Sequence, residues 1–267
     1  MKIKNLVSHI FLIICSIFTL FPFLWLIIGA TNSSSQITIG KMSIGTNFLI
    51  NFSSAIKKAN VLLGLKNSLV IALSITILVL IISSLAGYSL VIFPDSKRDF
   101  IFKVMLFSMM IPFAGQLIPL FKIFTKIGLL NTYLAAILPS ISSVYLAFFF
   151  KQSFKAFPRE LIEASRLDGL SEFGIFLKIV FPVMKSTYAA AGIVAFMGAW
   201  NSYMWPLIVL QSNKKMTLPM MAASISNGYS PDYGALMVIL IIATLPMIIV
   251  FFTLQRHFVQ GMTGSIK

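Results

Sequence analysis

The chain has 267 residues, 58% hydrophobic and 10% charged, with a mean hydropathy of +0.94. A soluble domain carries roughly 25% charged residues, so the composition excludes a water-soluble globular protein. The net charge of +14 is spread between apolar runs rather than gathered on one face. That distribution suits anchoring at membrane surfaces and gives no reason to expect a nucleic-acid partner.

Lys2 and Lys4 precede an apolar run from Ile10 to Ile28. A cleavable secretory signal has an apolar core of about 7–15 residues and a small-residue cleavage site. This run is longer and lacks a clear Ala-x-Ala, so a retained first span is expected over 10–30. The single cysteine, Cys15, lies inside it and reads as a small buried apolar side chain. The stretch 31–66 is rich in Ser, Thr and Asn and reads as a solvated outer loop. The segment 68–90 has no charge and thirteen Leu, Ile or Val residues. At about −0.3 to −0.6 kcal/mol each, these favour insertion by roughly 4 to 8 kcal/mol. A bilayer crossing takes about 20 apolar residues, which predicts spans over 67–92, 101–124, 131–150, 186–209 and 235–255, six with the first.

The chain therefore reads as an all-α, polytopic membrane protein with six transmembrane helices. The expected organisation is a first helix and outer loop over 1–66, a transmembrane core over 67–260 carrying a polar loop at 151–185, and a tail over 261–267. None of the polar segments is long enough for an independent soluble domain. With the N-terminus in the cytoplasm, the inner segments hold thirteen Lys and Arg residues and the outer ones eight. That bias puts both termini, the tail and the 151–185 loop in the cytoplasm.

Several chemistries are missing. No GxxxxGK[ST] loop is present to cradle a nucleotide phosphate, and no His/Cys/Asp/Glu set has metal-ligand spacing. His9 and His257 fall at predicted membrane edges and read as interfacial polar residues. No serine has a histidine and a carboxylate placed to activate it. No catalytic residue, cofactor or metal is expected, and the chain does not read as an enzyme. The interiors of the predicted spans contain no Asp or Glu. Lys103 and Lys122 lie near span ends, where long side chains reach the interface. Proton-driven transporters keep ionisable groups in the membrane interior, so energy for uphill movement would have to come from elsewhere.

Of the seven acidic residues, four fall in the thirteen residues ELIEASRLDGLSE: Glu160, Glu163, Asp168 and Glu172. Pro158 suits a helix first turn, and Glu160 then complements the helix dipole. Arg159 and Glu163 are four apart and Glu163 and Arg166 three apart, so both pairs can meet. Gly169 suits a left-handed helix stop. Ser171 suits the cap of a second helix through Phe173, Ile175, Phe176 and Ile179, interrupted at Pro182. On the first helix Leu161, Ala164, Ser165 and Asp168 share a face, with Ala164 and Ser165 small enough for another backbone to approach. Spacing alone leaves two readings, a solvated connecting loop or a docking element.

Glu163-Ala164-Ser165, three residues, Gly169, nine residues, Ile179, one residue and Phe181-Pro182 together resemble the cytoplasmic signature of the binding-protein-dependent ABC permeases. In that family the pattern is Glu-Ala-Ala, Gly, Ile and Leu-Pro at the same spacing, so Ser165 and Phe181 are the departures. The stretches NSLVIALS, AGYSL, GLLNTYLAAILP, WNSYMWPLIVL and QRHFVQGMTGSIK are similar to the maltose-type, carbohydrate-specific branch. The resemblance implies an ABC importer type I permease fold with a cytoplasmic coupling helix. Glu163, Ala164, Ser165, Asp168 and Gly169 would dock against a separate ATPase. The implied partners are a second permease subunit, two ATPase subunits, an extracellular solute-binding protein and a sugar.

Ala191, Ala195 and Ala199 recur every four residues in the fifth predicted span, a face that lets helices pack closely in lipid. Trp200, Asn201 and Tyr203 follow. Sugars are bound by aromatic stacking and by amide or hydroxyl groups, so these three are the candidates for the substrate pathway. The sequence also leaves room for a permease of a polyol or glycerol phosphate. A small membrane enzyme or assembly factor would need convergent polar residues that the sequence does not supply.

Overall fold

The computed structural model describes residues 2–57 and 60–262. Residues 263–267, most of the expected tail, lie outside the described residues. Fifteen α-helices and three short 3₁₀ or π turns follow one another, and no strand occurs among the described residues. The chain divides into two compact units, Met1–Lys66 with Thr217–Pro246, and Asn67–Met216 with Met247–Lys267.

The first unit begins with α1 (Lys2–Ala30), followed by α2 (Ser34–Thr38) and α3 (Phe48–Lys57). The apolar window of α1 buries none of its residues, so its side chains face outward, the arrangement a lipid solvent rewards. Cys15 is accordingly exposed rather than buried, contrary to the expectation from its type. The stretch 31–66 carries two helices and a buried polar centre rather than forming a plain solvated loop. The Asn51 amide, itself buried, donates to the carbonyls of Ala30 at 2.8 Å and Asn32 at 2.9 Å. Those bonds satisfy groups left over where α1 ends. α4 (Val61–Ile92) starts in this unit and continues into the second.

The second unit continues with α5 (Ser96–Ser108), α6 (Phe113–Lys126), α7 (Tyr133–Ile137) and α8 (Val144–Lys155). The polar loop follows as α9 (Arg159–Leu167), α10 (Glu172–Ile175), a π turn over Phe176–Val180 and α11 (Phe181–Val183). α12 (Lys185–Trp200) and α13 (Met204–Val209) complete it. α14 (Leu218–Ser226) and α15 (Tyr233–Met262) as far as Pro246 belong to the first unit, and the rest of α15 to the second. At the start of the second unit the fully buried Asn67 amide donates to the carbonyls of Lys214 at 3.0 Å and Met216 at 2.9 Å. The Tyr133 hydroxyl donates to its oxygen at 2.7 Å.

Three single helices, over Asn5–Ala30, Val61–Ile92 and Tyr233–Gln255, are long and apolar enough to cross a membrane. Three bent pairs pass the same test together, which makes up to six spans. The bends are 106° between α5 and α6, 44° between α7 with its 3₁₀ turn and α8, and 84° between α11 and α12. Continuous spans were predicted across the first two places, over 101–124 and 131–150, and an interruption at Pro182 near the third. Pro112 stands at the first break, as the residue before α6, and Pro139 lies just before the second. The third falls at Met184 and not at Pro182, through which the helix runs. In an α-turn the Pro182 ring would clash with the carbonyl four residues back. The wider π turn immediately upstream opens that spacing. The predicted span over 186–209 also stops early, at Trp200, before a break at 201–203.

One apolar cluster holds the second unit together: Val79, Tyr88 and Val91 of α4, Leu146, Phe150 and Phe154 of α8, Ile162 of α9, Ile175 of α10, and Ala191 and Ala195 of α12, among others. At Gly87, α4 approaches α8 so closely that an added Cβ would lie 2.7 Å from the Phe150 Cβ. Only glycine fits that crossing without a shift.

Candidate functional site

The polar loop is built from the inside out. Ile162 and Ser165 are the buried residues of α9, and Ile162 enters the apolar cluster. The Ser165 hydroxyl donates back to the Leu161 carbonyl at 2.6 Å, so it needs no partner outside its own helix. Pro158 takes the cap position, one residue before the first turn. Gly169 has φ +80°, a region where a side chain costs about 1–2 kcal/mol. Its N–H donates to the Arg166 carbonyl and that of Leu170 to the Ser165 carbonyl, at 3.0 and 3.1 Å. These two bonds form a Schellman stop, and Leu170 packs against the cluster. The Ser171 hydroxyl accepts from the Gly174 N–H at 3.3 Å and caps α10.

Of the predicted docking residues, Glu163, Ala164, Asp168 and Gly169 are exposed together and Ser165 is buried. The predicted shared face is thus divided, with Ser165 turned inward. Arg166 does not pair with Glu163. Its Nε donates to Glu172 Oε1 at 2.6 Å, and the two side chains are 40% and 42% exposed. The Tyr88 hydroxyl donates to Glu172 Oε2 at 3.1 Å. The carboxylate therefore ties α9 and α10 to the end of α4. The hydrogen bond to Glu172 raises the Arg166 guanidinium further above its ordinary value, so this partner stays charged. Arg98 and Arg166 both stand over the Phe93 ring, at 5.9 and 5.8 Å, a cation–π contact that closes the loop onto α4.

Three apolar side chains of this loop are exposed, Leu167 at 90%, Phe173 at 64% and Leu161 at 42%; sequence reasoning named Leu161 on the shared face and Phe173 on the second helix but missed Leu167. Counting helical angles from Ile162 would have put Leu167 on the opposite face. The loop thus presents carboxylates around large apolar groups, a surface suited to a protein partner.

The predicted pathway residues do not converge. Trp200 is 3% exposed, and its ring stacks on Phe196 at 5.5 Å and 19°. Asn201 is exposed at the end of α12, and Tyr203 is half-buried before α13. Ala191 and Ala195 are buried in the apolar cluster, and Ala199 is half-buried. No group of three or more His, Cys, Asp or Glu side chains could hold a metal among the described residues.

Residues 80–264 match the family model described as binding-protein-dependent transport system inner membrane component. The chain is 46% identical to the lactose transport system permease protein LacG of Rhizobium radiobacter, over 100% of this chain and 97% of that protein. It is 35% identical to the arabinooligosaccharides transport system permease protein AraQ of Bacillus subtilis, with the same shares covered. The sn-glycerol-3-phosphate transport system permease protein UgpE of Brucella abortus is 30% identical over 99% of this chain and 98% of its own. Among solved structures, a bacterial ABC transporter involved in the import of the acidic polysaccharide alginate superimposes with a TM-score of 0.84. That likeness covers 96% of this chain and 97% of the other at 18% identity, and it establishes an ABC-transporter permease fold. The chain belongs to the binding-protein-dependent transport system inner membrane component family and is a membrane-embedded transport permease rather than an enzyme.

Proposed function

We propose that this chain is the permease subunit of an ABC importer for a di- or oligosaccharide. It forms half of the translocation path beside a second permease subunit. Two ATPase subunits hydrolyse ATP on the cytoplasmic side, and an extracellular solute-binding protein delivers the sugar. Similarity along the whole chain to the lactose permease carries the reading. The excess of Lys and Arg in alternate segments supports cytoplasmic termini and a cytoplasmic 151–185 loop in a bacterial plasma membrane.

In this reading α9 is the coupling helix. Glu163, Ala164 and Asp168, with Leu167, meet the ATPase; Ser165 and Gly169 hold the helix in shape for that contact. Trp200, Asn201 and Tyr203 remain candidates near the pathway. A glycerol phosphate substrate has the more distant UgpE relative in its favour. An anionic substrate calls for Arg or Lys contacts in the path, and Lys103 and Lys122 are exposed near the ends of their bent span.

The test is co-purification. The chain, tagged at its C-terminus and extracted in mild detergent, is expected to bring a second permease and an ATPase. Gly169→Asp is expected to lose the ATPase selectively, because no atom lies within 4 Å of the added Cβ and the strain stays local to the turn. A chain that emerges alone and stable would refute the importer reading.

A further inference from the structure

We propose that a recess in the second unit, between two helix breaks, is this chain's own sugar-contacting subsite, with Ser140, Tyr145 and Ser202 as its hydrogen-bonding groups. The inference rests on the reading that the chain moves a neutral sugar. It assigns residues other than the aromatic and amide groups named from the sequence. The recess measures about 190 Å³. Enclosed ligand sites take about 300–1,000 Å³, so it has room for one ring of a larger sugar and is completed elsewhere.

Depth is the first argument. α8 has 12 residues and α12 has 16. At about 1.5 Å per residue these helices are roughly 18 and 24 Å long, each shorter than a hydrocarbon layer of about 30 Å. The break at 141–143 precedes α8 and the break at 201–203 follows α12, so both fall within the membrane. Non-helical backbone at that depth is tolerated only when buried in protein or lining a watery cavity. Ser142 and Asn201 at these breaks are exposed, which favours the cavity. Interrupted helices are also where transporters place their substrate sites.

Hydroxyl accounting is the second argument. Elsewhere in the spans, hydroxyls are satisfied by their own helices: Thr76 donates to Ala72, Thr244 to Leu240 and Thr253 to Ile249, each at 2.7 Å. Ser143, at the rim, accepts from the Leu146 N–H and caps α8. The side-chain hydroxyls of Ser140, Tyr145 and Ser202 have no protein partner among the described residues, and all three line the recess. Tyr145 is 51% exposed. Such groups facing hydrocarbon would each carry a desolvation cost; facing a sugar they supply donors and acceptors together with an aromatic face. No charged residue lines the recess, which suits a neutral ligand. Gly198 leaves its floor open, with nothing within 4 Å of an added Cβ.

Cys15 is the only cysteine, so Cys15→Ala gives a cysteine-free chain in one step. In membrane vesicles carrying the whole importer, Ser140→Cys and Ser202→Cys are expected to react with a charged thiosulfonate reagent. The control is Ile77→Cys on the outer face of α4. Hydrocarbon that raises a thiol pKa by one unit removes tenfold of the thiolate, so labelling at least about tenfold faster than the control is expected. Lactose or arabinotriose, whichever the wild-type vesicles accumulate, is expected to slow that labelling. Tyr145→Phe is expected to raise the KM for that sugar several-fold, and Gly198→Val to abolish uptake while the partner subunits still co-purify.

Labelling of both cysteines at the control rate would overturn a wet recess and leave the importer reading intact. Fast labelling without sugar protection, together with unchanged uptake by Gly198→Val, would overturn the subsite. Wild-type vesicles that accumulate neither sugar would overturn the sugar reading itself, and this proposal with it.

Discussion

Gly87→Ala is the sharpest test of how the second unit is packed, because two known effects oppose each other there. Alanine gains about 1 kcal/mol over glycine in a helix interior. Against that, the new methyl would lie 2.7 Å from the Phe150 Cβ, 2.8 Å from the Lys151 nitrogen and 2.9 Å from the Phe150 carbonyl carbon. Ordinary contact begins near 3.4 Å, so α8 must retreat by roughly 0.7 Å. Two of the three neighbours are backbone atoms and the third is a Cβ fixed to it, so no rotamer change relieves the clash. Overpacking costs about 1–3 kcal/mol, and with no relief the upper part of that range applies. The net expectation is a destabilisation of about 1–2 kcal/mol. Gly192→Ala is the internal control, since its Cβ would meet only the Leu80 Cδ1 at 3.6 Å. It keeps the helical gain and should be neutral or stabilising by up to about 1 kcal/mol. Thermal unfolding of the two variants in the same detergent reads the difference, with a shift of about 2–4 °C per kcal/mol expected for a domain of this size. A Gly87→Ala midpoint at or above that of Gly192→Ala would refute the close α4–α8 crossing.

Three further outcomes follow from the same structure. Glu163→Lys reverses an exposed charge on α9 and should leave the unfolding midpoint unchanged while ATP hydrolysis in the assembled importer continues without uptake; wild-type coupling would remove Glu163 from the contact. Glu172→Gln keeps the shape but weakens the bonds from Arg166 and Tyr88. For a pair this exposed it should cost under about 1 kcal/mol of stability, yet lower the sugar moved per ATP; an unchanged ratio would show that the tie carries no motion. Asn67→Leu strands the Lys214 and Met216 carbonyls and the Tyr133 hydroxyl. At about 1–3 kcal/mol for each buried unmet group, it should lower the midpoint by several degrees; no change would mean that water reaches these groups.

The parts of the loop that were legible in the sequence are those decided locally. The Gly169 stop and the Ser171 cap depend on residues within a few positions of one another, and the structure has both. Span positions were legible because hydropathy is summed over about 20 residues, and that averaging is blind to breaks of a few residues such as those after Ser108 and Ser140. Arg166 had two carboxylates within reach, Glu163 three residues back and Glu172 six ahead. The bond from Tyr88, 84 residues away, fixes Glu172 in place, and no local pattern contains it. The outward position of Leu167 was available from helical angles, but its apolar character argued for burial. Ser165 was read with its small neighbour as an approach surface, and only its depth in the fold separates it from Ala164.

The arrangement also bears on how a push on the loop could reach the path. Ile162 of α9 and Ile175 of α10 belong to the same cluster as Val79, Leu146 and Ala195. Those last three also form the wall of the recess between the helix breaks. Protein interiors pack at crystal-like density and transmit strain rather than absorb it. A partner that moves α9 must therefore carry Ile162 with it, slide α9 over the cluster or unpack the cluster. Sliding is opposed by the Arg166–Glu172–Tyr88 tie, which joins α9 and α10 to α4. Unpacking would open voids around Phe150 and Phe154, and phenylalanine cavities cost about 3–5 kcal/mol. Moving the cluster as a body is the least costly response, and it displaces the recess wall by the same motion. A Phe154→Ala variant separates the alternatives, because a softened cluster should still bind the ATPase yet transmit less: hydrolysis retained, uptake reduced. Equal loss of both would mean that the cluster serves only to hold α9 in place.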